Sequence, residues 1–165
     1  MGKNIRIMET TRKFKQLAIQ ITLKSMDKEQ SDWITFNDKI NTKIIGDDYC
    51  RSGIMLLVNE LPIMECDLKN SYFLITTDRI ISVIDGFYDE VFFIEMNNIS
   101  NEYNTENFKQ INGKYPKTNI IAVKKNDNTT LIAKIDSYYP AYFAKMLIYN
   151  IFSYKKLGKW YVNPK

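Results

Sequence analysis

The chain has 165 residues, 45% of them apolar and 25% charged, with a net charge of +4. That is the composition of a soluble domain large enough to bury its own core, and it excludes a disordered, collagen-like or disulfide-stapled chain. It contains no histidine, which removes Ser-His and Cys-His dyads, histidine general bases and nearly all catalytic zinc sites.

At the N-terminus Lys3 and Arg6 are not followed by an apolar stretch of signal length, and Arg6 stands where N-myristoylation wants Ser or Thr. The longest purely apolar runs, such as residues 54–58, are strand-sized and far below the ~20 residues of a membrane span. Cys50 and Cys66 lack CxxC spacing, so two reduced, partly buried thiols are expected. A cytoplasmic location is the corresponding expectation.

Charge is distributed in blocks. Residues 1–46 carry a balance of +4, residues 47–110 a balance of −8, and residues 111–165 a balance of +8. The break at Gly46-Asp47-Asp48 separates a basic N-terminal extension, read as helical, from a strand-rich domain over 47–165. Within the extension, Phe14, Leu17, Ala18 and Ile21 fall on one helix face, while Leu17, Ile19, Ile21 and Leu23 also alternate as a strand would. A second helix is expected from a Ser31 cap, with Trp33, Phe36, Ile40 and Ile44 on its face and Gly46 as its stop.

After the break, strands are expected at residues 53–58, 72–75, 79–84, 91–94, 119–123 and 131–135. They are rich in β-branched and aromatic residues and are punctuated by Pro62, Asp85-Gly86 and Asn126-Asp127-Asn128, so the economical arrangement is an antiparallel meander. The period then changes. Ser137 is placed to cap a helix, Pro140 fits its first turn, and Phe143, Leu147, Ile151 and Tyr154 share a face. Lys155 and Lys156 complement its dipole before Gly158 stops it.

The stretch Tyr72-Phe73-Leu74-Ile75-Thr76-Thr77-Asp78-Arg79-Ile80-Ile81 resembles the strand, Thr-x-x-Arg turn and strand of bacterial pleckstrin-homology-like and GRAM-like domains. The segment from Phe93 to Ser100 and the final strand pair leading into a helix are similar in order and spacing, and the likeness spans roughly residues 51–157. It implies an α+β fold: a bent antiparallel barrel or sandwich of about seven strands, capped by the C-terminal helix. Such folds serve many ligands, so the resemblance does not name one.

Headgroup-binding members use clustered cations in the loop after the first barrel strand. Here that loop, read as residues 59–70, offers Glu60, Glu65 and Asp67 against Lys69 alone, which repels anions. Asp85, Asp89, Glu90, Glu95, Glu102 and Glu106 follow one another with no cation between them. They are read either as a solvated rim guarding a sheet edge or as a surface for a basic protein partner. Their spacing does not fit a metal site.

A second surface combines Lys155, Lys156, Lys159, Trp160 and Tyr161, and its alternative reading is contact with anionic lipid. The absence of Arg there argues against nucleic acid. No nucleophile elbow, phosphate-cradling loop or dinucleotide fingerprint occurs, and Asp89 and Glu90, adjacent on a strand, point to opposite faces. The expectation is therefore a non-catalytic, cofactor-free binding module whose partner is a protein. Its specific form would be a bacterial immunity or inhibitor-type protein.

Overall fold

The computed structural model describes residues 2–100 and 110–162. Helix α1 (Gly2–Met26) leads through a single 3-10 turn (Gln30–Asp32) to strand β1 (Thr42–Ile44). Strands β2 (Pro62–Leu68), β3 (Ser71–Thr76), β4 (Arg79–Ile84) and β5 (Phe87–Phe92) form an antiparallel meander, and β1 adds to β2 at its edge. A second sheet orders β6 (Met96–Ile99), β7 (Thr118–Lys125) and β8 (Thr130–Asp136), and α2 (Tyr139–Leu157) follows.

The fold is α+β, with eight strands among the described residues rather than about seven. The two sheets do not close into a barrel. The reason lies at the β5–β6 junction. The chain leaves β5 through a 3-10 turn at Phe93–Glu95 that drives Phe93 fully into the core, so no ladder connects the sheets.

One core fills the space between the sheets and under both helices. It joins Ala18 of α1 and Trp33 to Ile63, Phe73, Ile80, Phe93, Ile121, Leu131, Phe143 and Leu147. The N-terminal 46 residues therefore share the core of the strands that follow. A smaller cluster of Tyr72, Leu74 and Ile81 lies on the opposite face of the first sheet, covered by Ile45, Tyr49, Ile54 and Leu56.

The strand-or-helix ambiguity of the first segment resolves to helix. Lys15, Ala18 and Thr22 are buried at helical spacing, together with Ile21, while Leu17 turns outward. The buried stripe admits polar residues because each has partners. Lys15 Nζ donates to the Ile45 carbonyl at 2.8 Å and to Asp47 at 2.7 Å, and Thr22 Oγ1 accepts from Asn150 Nδ2 of α2 at 3.0 Å.

Five local expectations are corrected. The helix over residues 31–44 does not form. Its backbone instead runs irregularly, bending over residues 36–39, and is held by Asp136, a fully buried residue whose carboxylate accepts hydrogen bonds from Asn37 Nδ2, Asn41 N, Asn41 Nδ2 and Thr42 Oγ1. Ser137 does not cap α2; its hydroxyl accepts from the Phe36 backbone N–H at 3.2 Å, and the cap position falls to Tyr138. Residues 53–58 make only an isolated bridge, Arg51 to Ile54. Finally, residues 62–68, read as loop, are strand β2. Pro62 stands at its first position, where a missing N–H costs least, and Glu65 accepts from the Tyr72 hydroxyl at 2.6 Å. The region expected at 91–94 also shifts, with its strand ending at Phe92.

Both cysteines are free, and they are not alike as expected: Cys66 is buried, whereas Cys50 is exposed. Burial pushes the Cys66 thiol up from 9.0 to about 11, and burial with a hydrogen bond to Glu90 raises the Tyr88 hydroxyl to about 12. An aromatic disulfide reagent at pH 8 is expected to titrate one thiol in the native protein and two after denaturation. Groups whose folded values are raised stabilise the fold below their unfolded values. Stability from this pair is therefore expected to hold up to about pH 9 and to decline as the pH rises toward 12. Reaction of both thiols at equal rates would contradict the buried placement.

Candidate functional site

The Thr-x-x-Arg turn between β3 and β4 organises the outer face of the first sheet. Thr76 Oγ1 accepts from the backbone N–H groups of Asp78 and Arg79 and donates to Glu60 at 2.7 Å. Arg79 then grips Glu60 with two nitrogens, Nε to Oε2 at 2.9 Å and Nη2 to Oε1 at 3.0 Å. The same guanidinium donates to the Met55 carbonyl at 2.7 Å and to Glu90 Oε2 on β5. Glu60 in turn accepts from the Leu57 N–H at 2.9 Å.

A planar cation with five donors suits this position because it bridges three separate segments at once. The side chain of Glu60 is fully buried and that of Arg79 nearly so. The result is a loop, residues 53–60, whose backbone is tied to the sheet from beneath. Its side chains are a different matter: Met55 is 86% exposed and Val58 88% exposed, with Leu57 half-exposed beside them.

The carboxylates singled out by sequence separate into three groups. Asp89 and Glu90 do point to opposite faces. Asp89 turns toward the second sheet, where Lys125 Nζ donates to it at 2.6 Å, and its Oδ1 also accepts the Glu90 backbone N–H. Glu90 faces outward, where burial opposes its charge but hydrogen bonds from the Tyr88 hydroxyl and Arg79 outweigh it and hold its carboxyl below the usual range. Asp85 at the β4–β5 turn and Glu95 in the 3-10 turn are exposed. Glu102 and Glu106 lie outside the described residues. Asp85 and Gly86 both take positive φ, as a tight two-residue hairpin requires.

The residues expected to contact lipid are partly committed elsewhere. Trp160 stacks on Tyr154 with centroids 4.5 Å apart and on Phe14 of α1 at 5.4 Å. Lys155 sits 3.5 Å from Asp78 and lies over the Phe14 ring. Burial lifts the Asp78 carboxyl against the opposing pull of Lys155. Lys156 lies over Phe152, Tyr161 stacks on Tyr149, and Lys159 is exposed. No described helix is long and apolar enough to cross a membrane.

The charge blocks of the linear sequence are thus interleaved by folding. Asp47 binds Arg12 and Lys15, Asp78 meets Lys155, Asp89 meets Lys125, and Asp38 meets Lys117. Sequence reasoning missed Arg79 and the exposed apolar pair Met55 and Val58, which it assigned to a strand. The Thr-x-x-Arg turn was the available signal for Arg79. Among the described residues, no group of three or more Cys, Asp or Glu side chains is placed to hold a metal ion. Comparison with protein-family models, curated proteins and solved structures gives no match to this chain.

Proposed function

We propose that the chain is a non-catalytic binding module for a protein partner, using the outer face of the first sheet. The contact surface is loop 53–60 together with Tyr88 and Glu90 of β5. The exposure of Met55 and Val58 carries this reading. Apolar side chains held in water forgo about 25 cal/mol for each Å² left unburied, and here they stand on a backbone clamped by Arg79 and Glu60. A preordered apolar cluster loses little conformational freedom on association, which is the property of an interface centre.

Tyr88 belongs to the same surface, since its hydroxyl and the Met55 carbonyl both lie within reach of the Arg79 guanidinium. The exposed Asp85 and Glu95 mark the two ends of β5. This rim favours a basic partner and steers its approach. An inhibitor-type protein that covers a basic enzyme is the specific form of the proposal. The chain order supports a pleckstrin-homology-like reading of the fold. Four meandering strands, β2–β5, precede three more and a helix, with α1 and β1 as additions.

Affinity capture from host cells, comparing the natural chain with Met55→Ser/Val58→Ser, tests the proposal. Both side chains face solvent, so thermal stability is expected to stay within about 0.5 kcal/mol. A partner recovered with the natural chain is expected to fall about tenfold or more with the variant and to weaken as salt rises. Equal recovery of every captured protein would overturn the reading.

A further inference from the structure

A cavity of about 490 Å³ opens where α2 begins, remote in sequence from loop 53–60 and lined by Asn119, Tyr138, Tyr139, Ala141, Tyr142 and Lys145. Its size falls in the range of small-molecule sites rather than of macromolecular interfaces. Two features separate it from an ordinary surface hollow.

The first is Asn119. Only 5% of this residue is exposed, yet its Oδ1 has no hydrogen-bond partner. A buried acceptor left unsatisfied costs about 1–3 kcal/mol, so this one calls for a donor from outside the chain, a water or a ligand group. The second is Tyr138. It holds φ 73° and ψ −126°, a conformation that side-chain-bearing residues rarely adopt. This places its ring 4.4 Å from Tyr139 and 5.2 Å from Phe36, in an aromatic wall that remains half-exposed at Tyr138 and Tyr142. Tyr138 is also the N-cap of α2 and makes no side-chain cap bond, so the positive end of a 19-residue helix lacks a side-chain acceptor at its cap.

These elements specify a ligand by their chemistry. Flat tyrosine faces accept a planar ring. The orphaned Asn119 oxygen calls for an N–H donor on that ring. Lys145 and the helix N-terminus favour an anionic group at the ring's far side. We propose that this cavity binds a mononucleotide: its base stacks on Tyr138 and Tyr142 and donates to Asn119 Oδ1, and its phosphate lies toward Lys145 and the start of α2. The site is separate from the protein-binding surface, and its proposal stands without that reading.

Calorimetry and saturation-transfer NMR on the full chain test it, with AMP, GMP, CMP and UMP, their nucleosides, and inorganic phosphate as probes. At least one mononucleotide is expected to bind, with its nucleoside weaker and phosphate alone weaker still. Tyr142→Ala, at a half-exposed position that does not threaten the fold, is expected to weaken binding about tenfold or more. Asn119→Leu is expected to do the same while keeping the far-ultraviolet spectrum. Met55→Ser/Val58→Ser is expected to leave nucleotide affinity unchanged. Failure of all four mononucleotides, binding of phosphate alone as tight as of any nucleotide, or unchanged affinity in both cavity variants would overturn the assignment.

Discussion

Asp136→Ala is expected to destabilise the protein by about 4 kcal/mol, because each donor stranded in the interior carries a penalty of about 1–3 kcal/mol and these are only partly additive. Asp136 is fully buried, and the groups that reach its carboxylate are donors from residues 37–42 and, at 4.0 Å, the Cys66 sulfur. Removing the carboxylate strands the Asn41 backbone N–H, which sits 2.6 Å from it, and the Thr42 hydroxyl at 2.8 Å. The same bonds tie the start of β1, which pairs with β2, to the end of β8. With a urea slope of about 2 kcal/mol per M, the midpoint is expected to fall by about 2 M at unchanged slope. Asp136→Asn keeps one acceptor oxygen and is expected to lose about half as much. A shift below about 0.5 M for Asp136→Ala would show that residues 33–44 are held by their apolar contacts instead.

The second large effect is expected at Arg79. Arg79→Met leaves Glu60 with a side chain of 0% exposure and no cation, and an uncompensated buried charge of this kind costs about 3–5 kcal/mol. The double variant Glu60→Leu/Arg79→Met is expected to recover most of that loss, since an apolar pair of similar volume removes the desolvation problem. It is not expected to restore the loop, because the Met55 carbonyl and the Leu57 N–H both lose their partners. Urea unfolding and limited proteolysis separate the two outcomes. Stability should return in the double variant while cleavage within residues 53–60 speeds up. A single variant as stable as the natural chain would mean that the ion pair makes no net contribution. A double variant with an uncut loop would mean that apolar packing, not Arg79, orders it.

Much of the fold was legible where local chemistry and tertiary pairing agree. β3, β4, β7 and β8 are runs of β-branched and aromatic residues that find neighbours on both sides or pack on the core, and Asp85-Gly86 supplies the positive φ values that its hairpin needs. The failures share a cause: a distant residue decides the local conformation. Trp33, Phe36, Ile40 and Ile44 have helical spacing, but Asp136, nearly a hundred residues away, takes the intervening donors and the chain bends instead of winding into a helix. β2 is disguised by Pro62, Glu65 and Asp67, whose carboxylates are satisfied by Tyr72 and Arg51. Residues 54–58 look like a better strand than β2 and are not one, since no strand neighbours them.

The candidate site was legible only in part for the same reason. A run of carboxylates without an intervening cation reads as one acidic surface. Folding then brings Lys125 from β7 onto Asp89 and turns Arg79 from β4 onto Glu90, leaving Asp85 and Glu95 exposed at the two ends of β5. What the acidic block hid was the exposed apolar pair Met55 and Val58. The apolar run assigned Met55 and Val58 to a strand, and the clamp beneath the loop explains how their side chains stay outside.

Hydrogen–deuterium exchange on the natural chain, alone and saturated with its captured partner, addresses the central claim most directly. Added protection is expected in residues 53–60 and 87–95 and not in residues 138–145. Protection confined to α2 or to the N-terminal helix, with loop 53–60 exchanging as fast as in the free protein, would contradict it.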